Sequence, residues 1–255
     1  MKDIQSSFDG RGIGIDKVGI KNIRYPIVVL DKANTVQHTI ASINMYVDLP
    51  KQFKGTHMSR FVEILNEHRG NINIRDYPDI LKKMQKRFNA GSAHLEIEFP
   101  YFIEKKSPVT RARSLMEYNC TFIGTRNGTG TDFVLIVRVP VLTLCPCSRE
   151  ISSHGAHNQR SFVTVHLRFT GLVWIEEIVD VVEASASSQL YSLLKRPDEK
   201  YVTESAYDNP MFVEDVVREV ARKLKKNEKI INFSVEAENL ESIHNHNVYA
   251  YVESE

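Results

Sequence analysis

The sequence predicts an α+β protein in which antiparallel sheets carry helices on one face. Segments with strand periodicity come in pairs joined by short turns, which favours antiparallel pairing. Amphipathic helical segments lie between these pairs, and the order of elements reads β-β-α-α-β-β in each half of the 255-residue chain. We therefore expect two tandem modules of this kind, residues 1–127 with an N-terminal arm and residues 128–255.

The first module contains four predicted strands and two predicted helices. Residues 1–17 are polar and glycine-containing, so we expect a loose arm. Strict alternation of side chains predicts the strands, and apolar residues three and four apart predict the helices. The strands are 18–30, 35–49, 93–103 and 114–125, the helices are 59–69 and 79–90, and a hairpin turn follows at 127–130.

The second module follows the same order with a longer polar loop. Its strands are 131–144, 161–170, 230–240 and 248–252, and its two main helices are 174–183 and 210–226, with a short additional helix expected at 189–195. Residues 145–159 form the loop. The last helix has its valines and Leu224 on one side, which is typical of a helix packed on a sheet.

Composition excludes several classes of protein. Lys and Arg number 33 against 32 Asp and Glu, and this balance gives no reason to expect nucleic acid or anionic membrane as a partner. No apolar run is long enough to span a bilayer, and the N-terminus lacks an apolar signal core. Three cysteines cannot form a complete disulfide framework. We expect a reduced, cytoplasmic, globular protein.

The loop at 145–159 holds the most informative cluster of side chains. Cys145 and Cys147 are one residue apart, and His154 and His157 follow. Thiolate and imidazole suit a borderline-soft ion such as zinc. Three cysteines exclude a four-thiolate site, so an open site with three protein ligands and water fits better. The alternative is a pair of small buried cysteines beside surface histidines.

Further acidic and imidazole groups lie in other predicted loops. Asp198, Glu199 and Glu204 precede the last helix, and Glu241, His244 and His246 occupy the final turn. Each alone is explained as a solvated loop residue. Because loops at one end of an antiparallel sheet can converge, together they form a plausible site.

Other polar side chains are candidates for binding a substrate. Glu214 begins the last helix, where it either complements the helix N-terminus or accepts two hydrogen bonds from adjacent N–H donors. An anion could bind at a helix entrance or at scattered arginines, but ordinary solvated polar residues explain both. These candidates are His57, Ser59, Arg60, Arg111, Arg113, Ser114, Arg149 and Arg160. No phosphate-binding glycine loop occurs in strand-to-helix context.

Six motifs together resemble one enzyme family. They are Lys54-Gly55-Thr56-His57-Met58-Ser59-Arg60-Phe61, Leu144-Cys145-Pro146-Cys147-Ser148, Gly155-Ala156-His157-Asn158-Gln159-Arg160-Ser161, Arg196-Pro197-Asp198-Glu199, Asn209-Pro210-Met211-Phe212-Val213-Glu214-Asp215 and Glu241-Ser242-Ile243-His244-Asn245-His246. The chain resembles the prokaryotic type IB GTP cyclohydrolase I along almost its full length. The resemblance implies a tunnelling fold and a homo-oligomer, expected to be a tetramer, with sites between subunits.

The resemblance also implies a reaction and a set of roles. The reaction is hydrolysis of GTP to formate and 7,8-dihydroneopterin triphosphate, the first step towards tetrahydrofolate. Cys145 and His157 are the implied metal ligands, with Glu199 or Glu241 as a further one. The ion is zinc by default, and manganese or iron also suit such ligands.

The remaining candidates then take substrate or proton-transfer roles. Glu214 becomes the guanine anchor. The alternative metal ligands or proton-transfer groups are Cys147, His244 and His246. The substrate-binding candidates are His57, Ser59, Arg60, Arg113, Ser114, Arg149 and Arg160.

Two other classes of protein compete with this interpretation. One is a deazaguanine nitrile reductase of the same fold, with a nucleophilic cysteine, NADPH and no metal. The other is a non-catalytic purine-binding or structural zinc protein. His157, Glu199 and the missing dinucleotide loop count against the reductase.

Overall fold

Long alternating segments build an antiparallel sheet, as the sequence predicts. The computed structural model describes residues 4–68 and 76–254, and in them the strands form one nine-stranded sheet. The strands are β1 (Ile15–Asp31), β2 (Thr35–Leu49), β3 (Ser92–Lys106), β4 (Arg113–Asn127), β5 (Gly130–Leu144), β6 (Asn158–Phe169), β7 (Ser188–Gln189), β8 (Ile230–Leu240) and β9 (Val248–Glu253). Their order is β1-β2-β3-β4-β5-β6-β8-β9, and β7 pairs with β5. The predicted bounds of β2 are confirmed without change.

Six helices occur in the same described residues. They are α1 (Ser59–Glu67), α2 (Tyr77–Phe88), α3 (Pro146–Ile151), α4 (Ile175–Glu183), α5 (Arg196–Asp208) and α6 (Val213–Leu224). The predicted end of α1 at Arg69 lies outside the described residues. Contacts divide the chain into unit 1, Met1–Pro100 with Thr121–Leu135, and unit 2, Tyr101–Cys120 with Ile136–Glu255. The module boundary at residue 127 stays a prediction.

In unit 1, α1 and α2 pack their predicted apolar sides inwards. Phe61 stacks on Phe88 with ring centroids 4.2 Å apart, and Tyr77 meets Phe122 edge to face at 5.9 Å. Gly124 leaves room for this tyrosine, because a Cβ there would lie 2.6 Å from Tyr77 Cδ1. Substitution at Gly124 would therefore displace α2 from the sheet.

In unit 2, α6 covers one face of β8. All five predicted stripe residues are buried, namely Val213, Val216, Val217, Val220 and Leu224. Every second residue of β8 from Phe233 to Asn239 is buried. This is the period-two pattern of a sheet with one covered face, which confirms the predicted strand.

Three predicted elements were wrong. Residues 189–195 form no helix, because Ser188 and Gln189 pair with Leu142 and Val141 of β5. Residues 198–204 were expected in a loop but belong to α5. The helix signal there is a proline in the first turn followed by two acidic residues, whereas the usual apolar stripe is missing because Asp198 and Ala206 are the buried residues. The loop at 145–159 contains α3.

The N-terminal arm is not loose in its described part. Lys54 N donates to Ser7 O and Gly55 N donates to Gln5 O, both at 3.0 Å. The arm thus lies along residues 52–55, and Asp9 N also donates to Gln52 O. Separately, no helix in the described residues is both long and apolar enough to cross a membrane.

Candidate active site

The end of β5 and the entrance to α3 set the position of Cys145. Cys145 is the N-cap residue of α3, and its sulfur accepts a hydrogen bond from Ser148 N at 3.5 Å. Pro146 occupies the first turn, where its missing N–H costs nothing. Sulfur is not one of the usual N-cap groups, so the start of this helix carries no clear signal in the sequence.

Ser148 links Cys145 to His157. Its hydroxyl donates to Cys145 O at 3.1 Å and accepts from His157 N at 3.2 Å. Cys145 N also donates to His157 O at 3.2 Å. The thiol and the imidazole are therefore held by three backbone contacts, although they are twelve positions apart in the sequence.

The loop after β8 brings further groups to the same place. His157 Nδ1 lies 3.2 Å from Ser242 Oγ, and the rings of His157 and His244 lie 6.5 Å apart. His244 stacks on His246 at 5.3 Å. A cavity of about 230 Å³ is lined by these groups, including Cys145, His157, Gln159, Glu214, Glu241, His244 and His246.

Two oxygens in this cavity are buried without a hydrogen-bond partner. They are Glu241 Oε2 and Gln159 Oε1. A buried carboxylate oxygen without a partner is costly, so a ligand or cation opposite it would be stabilising. If a metal ion bound His157 Nε2, Nδ1 would carry the proton and donate to Ser242 Oγ, and such an outer hydrogen bond orients a ligating histidine.

The donor chemistry of the cavity fits a divalent ion, but the described residues of one chain do not form a complete set of metal ligands. Among residues 4–68 and 76–254, no three His, Cys, Asp or Glu side chains form a group that could hold a metal ion. Thiolate, imidazole and carboxylate donors all line the cavity. Cys120 is not among them, since it is buried in β4, where burial raises the pKa of its thiol.

Glu214 lines the cavity from the first turn of α6. It is exposed, whereas the neighbouring Asp215 caps the helix by accepting a hydrogen bond from Phe212 N at 3.1 Å. Because Asp215 fills the capping role, Glu214 is not needed for that purpose. Its carboxylate is then available to a ligand in the cavity.

Comparison with known proteins assigns a family to this chain. Residues 1–250 match the model of the family described as type I GTP cyclohydrolase folE2. The chain belongs to this FolE2 family. It is 63% identical over 255 residues to the GTP cyclohydrolase FolE2 of Syntrophus aciditrophicus, covering 100% of both chains. It is 60% identical over 254 residues to that of Syntrophobacter fumaroxidans, covering 99% of both.

Solved structures show the fold of this FolE2-family chain. A urate oxidase mutant from Bacillus sp. TB-90 has a TM-score of 0.57 at 8% identity, over 94% of this chain and 99% of that one. The uricase of Arthrobacter globiformis has a TM-score of 0.53 at 11% identity, over 95% and 93%. The fold is thus the tunnelling fold, with antiparallel strands and helices on one face.

Seven other predicted site residues of the FolE2-family chain lie elsewhere in unit 2, outside this cavity. Glu199 is exposed on α5 and lines a separate depression with Arg196, Lys200, Thr203 and Glu204. Arg149, on α3, lies over the ring of Tyr207 at 4.7 Å. The remaining ones are exposed Cys147 on α3, exposed His154 after it, exposed Arg160 on β6, and Arg113 and Ser114 at the start of β4.

Unit 1 holds the remaining predicted residues. His57 and Arg60 line a cleft of about 160 Å³ together with Ser6, Thr56 and Arg87. Ser59 is exposed at the first position of α1, and Met58 rather than Ser59 occupies the N-cap. Arg87 was not predicted, since a single arginine late in an amphipathic helix gives no signal of a site.

Proposed function

We propose that the protein hydrolyses GTP to formate and 7,8-dihydroneopterin triphosphate, the step that begins tetrahydrofolate synthesis, with the help of a divalent metal ion. One observation supports this most strongly. Cys145, His157 and Glu241 line the same cavity as Glu214 in a member of the FolE2 family. Metal-type donors and a carboxylate suited to guanine thus share one small space.

Glu214 is the proposed anchor of the base. Guanine presents N1–H and the N2 amino group side by side, and one carboxylate can accept a hydrogen bond from each. Bonds to a charged acceptor are worth about 1.5–3 kcal/mol each. Adenine lacks this pair of donors, so it would leave Glu214 unpaired.

The reaction then needs three events at the imidazole ring of the purine. Water attacks C8, the ring opens, and the formyl group is hydrolysed away. A divalent ion, when bound, supplies a nucleophile near neutral pH by lowering the pKa of water, and it polarises a carbonyl group. Cys145 and His157 would hold the ion, while His244 and His246 move protons to and from the substrate.

The third protein ligand remains a choice between two glutamates. Glu241 lines the cavity within one chain and has the partnerless oxygen. Glu199 lines the α5 depression, so it would join the site only from another subunit. We propose zinc as the ion, with manganese or iron as substitutes, and a cytoplasmic tetramer with sites between subunits.

Metal analysis combined with an assay of GTP conversion tests this proposal. Wild-type protein should contain about one metal ion per active site and produce a fluorescent pterin from GTP. Cys145→Ala should lose turnover and most of its metal while keeping its circular dichroism spectrum. Cys120→Ala, which removes a buried thiol of β4, is the matched control and should keep its metal.

The outcome also separates the competing classes. Full activity after exhaustive chelation would contradict the metal-dependent mechanism. NADPH oxidation without pterin formation would indicate a nitrile reductase, and metal without turnover would indicate a structural site. Comparing the metal content of Glu241→Gln and Glu199→Gln identifies the third ligand.

A further inference from the structure

The turn between β3 and β4 is tied to the start of α5 by a single buried side chain. Asp198 is 0% exposed and lies in the first turn of α5. Its Oδ1 accepts hydrogen bonds from Val109 N at 2.9 Å and Thr110 N at 2.8 Å. Its Oδ2 accepts from Thr110 Oγ1 at 2.6 Å and from Lys195 N at 3.0 Å. Three of the four donors therefore belong to the turn.

The hydrogen bonds inside the turn have a fixed direction. An ionised carboxylate only accepts, so the Thr110 hydroxyl donates to Asp198. The Ser107 hydroxyl, 2.9 Å away, must then donate to Thr110 Oγ1, and it accepts from Ala112 N at 3.0 Å. The chain of bonds runs from Ala112 through Ser107 and Thr110 to Asp198. Asp198 is the terminal acceptor of this chain, and the hydrogen bonds within such a chain strengthen one another.

This network surrounds a residue in a disfavoured backbone conformation. Arg111 follows Thr110 directly and has a φ of 59°, in the left-handed region that favours glycine or asparagine. Such strain persists only where the surroundings impose it, and it is concentrated at functional sites. The bonds on either side of Arg111, to Thr110 and to Ala112, impose it here.

The strained turn presents two guanidinium groups at the surface. Arg111 and Arg113 are both exposed, and Arg113 forms an ion pair at 3.3 Å with Glu104, which is also exposed. An exposed ion pair of this kind is weak and easily exchanged. Arginine forks match phosphate oxygens in two-pronged contacts, and two of them on one rigid turn suit a ligand with several phosphates.

We propose that Asp198 is a positioning residue that holds the β3–β4 turn so that Arg111 and Arg113 bind the triphosphate of the substrate. The proposal rests on GTP being the substrate. It assigns Asp198 a role through the turn and not through contact with the reacting atoms. The exposed arginines alone would be ordinary surface charges, whereas the buried tether and the strained backbone distinguish them.

Two variants weaken the tether from opposite sides. Asp198→Asn replaces an acceptor with an amide whose N–H₂ group faces donors of the turn. Thr110→Val removes one hydroxyl on the other element with little change in shape, and Thr110→Ser is its matched control because it keeps the hydroxyl. Arg111→Gln removes one of the proposed phosphate-binding groups itself.

The measurements separate the phosphates from the base. For Asp198→Asn, Thr110→Val and Arg111→Gln, the KM for GTP and the inhibition constant of inorganic triphosphate should rise roughly fivefold to tenfold. The kcat and the inhibition constant of guanosine, which has no phosphate, should stay within about twofold. Thr110→Ser should restore both raised constants to nearly wild-type values.

Several results would overturn the proposal. The proposal fails if millimolar inorganic triphosphate does not inhibit the wild-type enzyme. Equal losses of affinity for guanosine and GTP would show that Asp198 has only a general structural role. An unchanged KM for GTP and an unchanged inhibition constant of inorganic triphosphate in Thr110→Val and Asp198→Asn would show that the tether has no role in binding. Should wild type form no pterin, the proposed function fails separately, and calorimetric titration with inorganic triphosphate still tests the turn.

Discussion

A buried ion pair between β3 and α4 offers a quantitative test of what holds unit 2 together. Lys105 Nζ lies 2.7 Å from Glu183 Oε1, and their side chains are only 9% and 4% exposed. Tyr118 donates to the same oxygen at 2.7 Å. Burial raises the pKa of Glu183 and lowers the pKa of Lys105, despite their attraction. The pair therefore does not fully recover the free energy lost when both charges leave water.

The ammonium group also fixes the segment that leads to α5. Lys105 Nζ donates to Leu190 O at 2.9 Å and lies 4.5 Å from the centre of the Tyr191 ring. Lys105→Met removes these contacts and leaves the Glu183 carboxylate buried with its Tyr118 bond. Leaving one charge of a buried pair costs about 3–5 kcal/mol of unfolding free energy. At about 2–4 °C per kcal/mol for a protein of this size, Tm should fall by roughly 6–20 °C.

The double variant Lys105→Met/Glu183→Gln should be more stable than the sum of the two single losses predicts. It holds no buried charge, and the glutamine oxygen still accepts from Tyr118. We expect its loss to be smaller than the sum of the single losses by at least about 2 kcal/mol. The assay is urea unfolding at fixed protein concentration, followed by the fluorescence of Trp174, the single tryptophan, which is the N-cap residue of α4.

The pH dependence gives an independent check with opposite signs. Burial raises the pKa of Glu183 and the charge of Lys105 opposes this, so Lys105→Met should raise that pKa further. Stability is then lost as pH rises, and the deficit should shrink on acidification. Burial lowers the pKa of Lys105 and the charge of Glu183 opposes this, so Glu183→Gln should lower that pKa further. Stability is then lost as pH falls, and the deficit should shrink towards pH 10. Additive losses within about 0.5 kcal/mol, with no such opposite trends, would refute the coupling.

Three further predictions follow from other parts of the chain. Glu214→Gln should lower kcat/KM for GTP about tenfold or more with little change in melting temperature. Unchanged GTP kinetics with a lower melting temperature would show that Glu214 only complements the positive N-terminus of its helix. Inactive His57 and Cys145 variants should regain some activity when mixed after reversible dissociation, because one residue lies in each unit and the proposed sites lie between subunits, whereas an active monomer in light scattering would contradict this. Asp31→Asn should lower the free energy of unfolding by about 1–3 kcal/mol at pH 7. Although burial opposes it, bonds from Asn34, Gln37 and Ala33 lower the pKa of Asp31, so this cost should disappear as pH falls below about 4, and urea unfolding at several pH values measures it.

Strand periodicity was the most reliable guide to the fold. The bounds of β2 were predicted without error, because one face of this strand is buried from Ala41 to Val47 and the other is polar. The stripe of α6 was equally clear. By contrast, α5 buries an aspartate and an alanine, so its sequence lacks the apolar repeat on which helix prediction depends.

The residues that line the candidate site could be predicted from the sequence, but the side chains that hold them in position could not. Cys145, His157 and Glu241 stand out by chemical type, and the structure brings them to one cavity. Ser148 and Ser242 hold Cys145 and His157 in place, yet serine is common in every loop. Their importance depends on which backbone groups they meet, and that information is tertiary.

Two hydrogen bonds of Leu144 relate the metal-ligand end of the proposed site to the end that would hold the base. Leu144, the last residue of β5, donates from its N–H to Ser187 Oγ at 3.0 Å and accepts at its carbonyl from Met211 N at 3.1 Å. The first bond ties Cys145 to the segment after α4, and the second ties it to the residues just before α6 and Glu214. The main-chain bond from Met211 N to Leu144 O would therefore limit how far a purine anchored at Glu214 lies from the Cys145 thiol. Under the proposed function, selection of guanine and attack at C8 would both depend on this arrangement, and a base held elsewhere would be bound without being hydrolysed.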